Sequence, residues 1–366
     1  MEYWGKPAFD KFTQEALERL AVDRPDEGIY RKVLDHWDRA AKPLDGMGRF
    51  ETLTARIGAV LGSEEINISR KAVIVMCSDN GIVEEGISQS GQEVTAAVAQ
   101  EMGKGGSSVG KLAAAVGADV IPIDIGINQE EAIPGVVDWK IRRGTRNFRR
   151  EPAMTRQEAV YGIFLGIEAA ARCKERGYGL IATGEMGIGN TTTSSAVVAA
   201  LLECEAGCVT GKGAGLSDEG LARKRMVIEE ALERYGLRGE CPLKVLETVG
   251  GFDIAGLAGV CIGGGLYHIP VVLDGVISMT AAVVAKRLIP ETEHYLIPSH
   301  RGKEPAVAML VRELGLEPVI DGNMALGEGT GAVMMMGLLD MALSIYRKRT
   351  TFGDIQVKPY ERYCER

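Results

Sequence analysis

The apolar positions change their period once along the chain, near residue 70. Before that point they recur at helical spacing. Phe12, Ala16, Leu17 and Leu20 share one face, and a turn at 43–48 (PLDGMG) leads into a second amphipathic run, RFETLTARIGAVLG. No strand signal interrupts this opening, so residues 1–65 are expected to form a small helical subdomain, with the tail at 345–366 as the candidate to complete it. Beyond residue 70, short β-branched runs alternate with helical segments. They are KAVIVMC at 71–77, DVIPIDI at 119–125, GLIAT at 179–183, IPVVL at 269–273, YLIPS at 295–299 and PVI at 318–320. Continuous apolar strands separated by helices predict an α/β domain over 66–344, a parallel Rossmann-like sheet covered by helices on both faces.

The residues that follow each run are small or acidic: Ser78-Asp79-Asn80-Gly81, Gly126, Gly184-Glu185, Asp274-Gly275, Ser299-His300 and Asp321-Gly322. An open parallel sheet places its ligand at such carboxyl-terminal tips. One stretch, 254–273, runs twenty residues without a charge, but Gly263-Gly264-Gly265 and Pro270 interrupt it. It is read as a buried helix followed by a buried strand rather than a membrane span. No internal repeat and no low-complexity linker divides the chain.

Composition narrows the function. Forty-two Lys+Arg stand against 50 Asp+Glu, a net charge of −8, which excludes a protein that coats nucleic acid. Seven cysteines are scattered without a C-x-x-C pair, and the first residues carry no apolar leader core, so a reducing, cytoplasmic setting is expected. With four histidines, none paired with a cysteine at ligand spacing, no metal site is expected. Glycine is in excess at 47 residues, without a collagen-like period.

Three glycine clusters fall where chemistry is plausible. In GEMGIGNTTTSSAVVAALL, 184–202, Gly187 and Gly189 free the backbone to approach an anion, while Asn190, Thr191 and Thr192 add donors at a helix start. The segment matches neither a P-loop nor a dinucleotide fingerprint, and a tight strand-to-helix turn with a threonine cap explains it equally well. In TGKGAGLSDEGLARKRM, 210–226, Gly211, Gly213 and Gly215 form a flexible loop before a helix capped by Ser217. One of Lys212, Arg223, Lys224 or Arg225 is expected to reach a phosphate, the others to line a solvated face. In DGNMALGEGTGAVMMMGLL, 321–339, Glu328 lies between two glycines. If the loop holds it dry, its pKa rises toward that of a useful general base; the alternative is a solvated loop carboxylate. Met334, Met335 and Met336 are read as core packing. In the 78–95 loop, Asp79 and Ser90 are possible polar contacts, and Glu84 and Glu85 are read as surface charge. IRRGTRNF, 141–148, is read as a solvated turn.

In this order, KPLDGMGRFE, VMCSDNGIVEEG, GTRN, GEMGIGNTT, VGGFDIAGLAG, PVVLDG, YLIPSH and LGEGTGA resemble the nicotinate-nucleotide:dimethylbenzimidazole phosphoribosyltransferase family over most of the chain. The resemblance implies a cytoplasmic homodimer that transfers phosphoribose from nicotinate mononucleotide to an aromatic base for the lower loop of cobamides, with no cofactor. It implies Glu328 as catalytic base and Glu185 as a second active-site carboxylate. The nucleotide and its phosphate would be held by Gly187, Gly189, Asn190, Thr191, Thr192, Gly211, Gly213, Lys224 and Asp253. Leu326 and Gly327 would lie near nicotinate and ribose, and Asp79, Ser90 and Val98 would line the base pocket. The chain departs from the family pattern at Asn80, Ala325, Gly302 and Val98, which bears on the choice of base.

Overall fold

The structure is a computed structural model describing residues 4–9 and 12–363. Residues 1–3, 10, 11 and 364–366 lie outside the described residues, and with them Cys364, the end of the proposed tail and part of the opening stretch. Strands β1 (Lys71–Ser78), β2 (Ala118–Gly126), β3 (Val137–Asp138), β4 (Leu180–Met186), β5 (Val271–Val272) and β6 (Leu296–Ile297) form one parallel sheet in the order β3-β2-β1-β4-β5-β6. Every residue of β1 is buried, which is why it reads as a continuous apolar run and not as an alternating one.

Alternate residues of the strands feed two cores. Ala72, Ile74 and Met76 pack with the helices Arg156–Glu175 and Phe252–Leu266. Val73, Val75 and Cys77 pack with the helices Glu27–Asp38, Arg49–Leu61 and Thr330–Arg347 on the other face. The opening helices therefore share their core with the sheet. They also meet the chain end: Trp37 lies 5.3 Å from Tyr346 between ring centres, and Arg362 pairs with Asp38 and Asp45 at 2.9 and 2.8 Å.

The uncharged stretch is the buried helix Phe252–Leu266 followed by β5, as its glycines and proline indicate. Among the described residues no helix is long and apolar enough to cross a membrane. Part of the glycine excess belongs here. A Cβ at Gly166 would collide with the Gly256 carbonyl, and one at Gly259 with the Ile163 carbonyl. The two helices thus touch backbone to backbone, which only glycine permits.

One strand expectation needs correction. PVI at 318–320 does not join the sheet; it leads into β8 (Ile320–Met324), which pairs in parallel with β7 (His300–Gly302) as a separate ribbon. The residues after Ile320 are Asp321, Gly322 and Asn323, all exposed, and a strand covered on both faces cannot accommodate them. In the main sheet the connections run outward in opposite directions from β1 and β4. That reversal opens a crevice at the carboxyl ends of the central strands.

Candidate active site

A cavity of about 290 Å³ occupies this crevice. Its polar wall holds Glu185, Asn190, Thr191, Asp274, His300 and Glu328, and its apolar wall includes Val98, Met186, Ile188, Val276, Ile277 and Leu326. Most of these residues come from a strand tip or the turn just after one.

Glu328 lies on the turn before the final helix. Gly327, Glu328 and Gly329 all adopt positive φ, at 86°, 62° and 95°, so the sole non-glycine in the turn is held in a left-handed conformation. Strain of this kind persists where the surroundings over-determine the backbone, commonly at working sites. The Glu328 carboxylate accepts a hydrogen bond from the Val109 N–H at 3.1 Å, at the start of the helix Ser108–Ala115. It is half-buried and not held dry.

The strongly perturbed carboxyl is Glu185. Burial pushes it up to about 8, and the negative neighbours Asp253 and Asp274 add to the effect. Hydrogen bonds donated by the Asn190 amide and by the Glu328 N–H pull it back down. Glu185 therefore favours its protonated form in the fold and stands against the backbone of Glu328. Beneath it, Asp253 is fully buried at the head of the helix Phe252–Leu266. Burial raises it to about 6, opposed by hydrogen bonds from the Ile254 N–H, Asn80 and Asn190.

Lys224 is fully buried under the 211–215 loop. Its Nζ donates to Thr191 Oγ1 at 2.8 Å and to the Gly211 carbonyl at 3.3 Å. Burial lowers its pKa from 10.5 to about 8, and Glu304 partly restores it. Glu304 in turn accepts the Gly213 N–H at 3.1 Å. An ammonium group and a threonine hydroxyl meet the glycine loop here, with the Glu304 carboxylate bracing it, at the edge of the cavity. The other cations of the cluster turn elsewhere: Lys212 to Asp218, Arg223 to the Gly86 carbonyl and Arg225 to the Thr210 carbonyl.

Of the residues singled out from sequence, Glu185, Gly187, Asn190, Thr191, Gly213, Leu326, Gly327, Glu328 and Val98 line the cavity. Gly189, Thr192, Gly211, Lys224 and Asp253 are not among its lining residues. Asp79 and Ser90 do not line it. Asp79 is buried, where its Oδ2 accepts the Asn128 N–H at 2.7 Å, and burial pushes its pKa up to about 6. Ser90 lies half-exposed on the 86–92 loop.

Two readings of the flanking segments are also corrected. The 141–148 segment is not a solvated turn: Thr145, Asn147 and Phe148 are buried, and Thr145 Oγ1 accepts the Gly81 N–H. Glu85 is not surface charge, since Arg149 and Asn147 clamp it at 2.6 Å each. Together they brace the loop after β1. Asp274 and His300, two of the strand-tip residues, also line the cavity, as do Ser278, Lys303 and Glu304, which carry no sequence signal of their own. Among the described residues the one carboxylate cluster with metal-like spacing, Asp38, Asp45 and Glu51, does not line the cavity, and Arg362 pairs with the two aspartates and Lys42 with Glu51.

A buried lysine beside a glycine loop, two carboxyl groups on neighbouring turns and an apolar wall around one cavity are the equipment of a group-transferring enzyme. A family profile described as Phosphoribosyltransferase, DBI_PRT, matches residues 22–357. Nicotinate-nucleotide–dimethylbenzimidazole phosphoribosyltransferase of Clostridium acetobutylicum is 41% identical over 336 residues, covering 92% of this chain and 96% of the relative. The enzyme of the same name from Clostridium perfringens is 40% identical over 333 residues, covering 91% and 92%. The crystal structure of CobT from Thermus thermophilus superposes with a TM-score of 0.86 at 36% identity, covering 91% of this chain and all of that one. The chain belongs to the nicotinate-nucleotide–dimethylbenzimidazole phosphoribosyltransferase family, and it is a phosphoribosyltransferase of cobalamin lower-ligand synthesis.

Proposed function

We propose that the protein transfers phosphoribose from nicotinate mononucleotide to 5,6-dimethylbenzimidazole, giving α-ribazole 5′-phosphate and nicotinate. The observation that carries this reading is the juxtaposition of Glu328 and Glu185, with the Glu328 N–H donated to the Glu185 carboxyl at the cavity wall. Glu328 takes the proton from one ring nitrogen of the incoming base while the other nitrogen attacks C1′. Nicotinate departs from a cationic glycosidic nitrogen and is neutral at that ring, so the leaving group requires no strong acid. Attack opposite the leaving group inverts C1′, which turns a β-nucleotide into an α-product. Protonated Glu185 donates a hydrogen bond to the ribose side of the reacting centre. Thr191, Gly213 and Lys224 hold the phosphate, and the apolar wall orients the two rings. Orientation contributes several kcal/mol, up to about 7–11 in ideal cases, and a placed base about 10²–10⁴-fold.

A second acceptor is supported by one observation. Val98 is half-buried in the apolar wall, where it presents no polar atom to an incoming ring. Val98 offers no hydrogen-bond partner and Ala325 and Gly302 add little side-chain bulk to the lining, so acceptor choice rests on shape, and another benzimidazole, adenine or a phenol is the alternative acceptor. Incubation with nicotinate mononucleotide and dimethylbenzimidazole, benzimidazole, adenine or p-cresol, with products read by mass spectrometry, tests both readings. Dimethylbenzimidazole ribotide with released nicotinate as the main product supports the first. Preference for another acceptor supports the second, and the absence of product with all four overturns both.

The assembly reading is a homodimer, supported by Met341, Ile345 and Met334, the last exposed and not core packing as expected, which leave an exposed apolar stripe on the final helix. The cytoplasmic reading is supported by the free thiols of Cys77, Cys173, Cys204, Cys208, Cys241 and Cys261. Residues 1–65 with the tail form, in this reading, a small helical subdomain that packs into the sheet's own cores, supported by the Trp37–Tyr346 and Arg362 contacts.

A further inference from the structure

The turn that carries Glu328 holds three consecutive residues at positive φ, and it does not hold itself. The first amides of the final helix, Thr330–Arg347, have no partner within that helix and no side-chain cap on it. Three amides at this end point at one carboxylate from a different strand. Asp274, at the tip of β5, accepts the Gly329 N–H at 3.2 Å through Oδ2, and the Gly331 and Ala332 N–H groups at 2.8 and 3.2 Å through Oδ1. Asp274 is buried, and its backbone N–H is tied to Thr183 Oγ1 on β4. His300, which also lines the cavity, is buried beside it and bonded to Ser299 Oγ at 3.0 Å.

We infer that Asp274 is a positioning residue for the transfer reaction: by taking three amides at the start of the final helix, it fixes the left-handed turn that aims the Glu328 carboxylate into the cavity. The anchor is geometrically specific. Gly329 is the residue next to Glu328, and its N–H is the first group Asp274 holds, so any slackening appears directly in the φ/ψ of the base. A carboxylate at this end of an 18-residue helix is also favoured by the exposed amides and the helix dipole. An amide in its place offers one acceptor oxygen where two are used, and its NH₂ would face N–H groups.

The inference rests on Glu328 acting as the base, and the test separates the two. Turnover and nicotinate mononucleotide affinity are measured for Asp274→Asn, Glu328→Gln and the double variant. Asp274→Asn is expected to lower kcat by ~10–100-fold with the nucleotide Kd changed by less than about threefold, as for loss of pre-organisation. The double variant is expected to be no slower than Glu328→Gln alone, because a misplaced base costs nothing once the base is gone. Near-normal kcat in Asp274→Asn, or full additivity in the double variant, overturns the positioning role. Near-normal turnover in Glu328→Gln instead overturns the base assignment and leaves the anchor without a target. If Asp274→Asn does not fold, Ala332→Pro deletes one of the three amides while leaving the carboxylate intact, and the same split of kcat against Kd is expected.

Discussion

Replacing Lys224 by methionine should make the protein more stable and a worse nucleotide binder at once. The side chain is fully buried, and burial brings its pKa from 10.5 to about 8. At 1.36 kcal/mol per pKa step, that fall represents roughly 3 kcal/mol of folding free energy opposed by the buried charge at neutral pH. The sign follows from the two states. Below about pH 8 both folded and unfolded chains carry the charge and the penalty is complete. Between about 8 and 10.5 only the unfolded chain keeps the proton, so the penalty fades as pH rises. Methionine matches the unbranched stem and removes the charge, at the loss of the bonds to Thr191 and the Gly211 carbonyl, about 1–2 kcal/mol. The variant is therefore expected to gain about 1–2 kcal/mol at pH 7 and to lose that gain above about pH 10. In binding, the lost charge-assisted contact to a phosphate is worth about 1.5–3 kcal/mol, or ~10–150-fold in Kd for nicotinate mononucleotide. Chemical denaturation across pH and calorimetric titration with the nucleotide read the two effects separately. A variant that is clearly less stable at pH 7 and binds the nucleotide normally would refute the reasoning on both counts.

Other outcomes follow from the same geometry. Glu185 has its pKa raised from 4.5 to about 8, so the folded chain keeps a proton that the unfolded chain releases above about 4.5. Its contribution to stability is complete below that pH and is lost as pH rises to about 8. Glu185→Gln should flatten this decline in a denaturation series, and an unchanged slope would show that Glu185 is ionised in the fold. Gly259→Ala should lower stability by about 1–3 kcal/mol, because its methyl group meets the Ile163 carbonyl across the helix crossing. A neutral result in urea unfolding would mean that the two helices can part freely.

Much of the fold was legible because the sheet is covered on both faces. Burial on two sides produces unbroken apolar runs, and β1, β2 and β4 were each read within a residue or two at their starts. β3 was missed because a two-residue edge strand carries no periodic signal. PVI was misplaced because an apolar triplet does not reveal which sheet it will join. The site was legible where glycine marks a close approach, as at Gly187, Gly213 and Gly327. It was least legible where function depends on what a side chain faces across the fold. Nothing local distinguishes Asp274, which anchors the final helix, from Asp79, which ties down a loop amide. Glu328 and Glu185 were both singled out, but the expectation of a dry carboxylate fell on the wrong one. The charges beside it, Asp253 and Asp274, are distant in sequence, and it is Glu185 that they surround.

The central claim is that Glu328 takes the proton from the acceptor base. It is tested most directly by single-turnover kinetics of Glu328→Gln with saturating nicotinate mononucleotide and dimethylbenzimidazole. Chemistry slowed by ~10² or more, with nucleotide affinity within a few-fold of the parent protein, is the expected result. Unchanged single-turnover rates would contradict it and would place the proton acceptor on another group of the cavity.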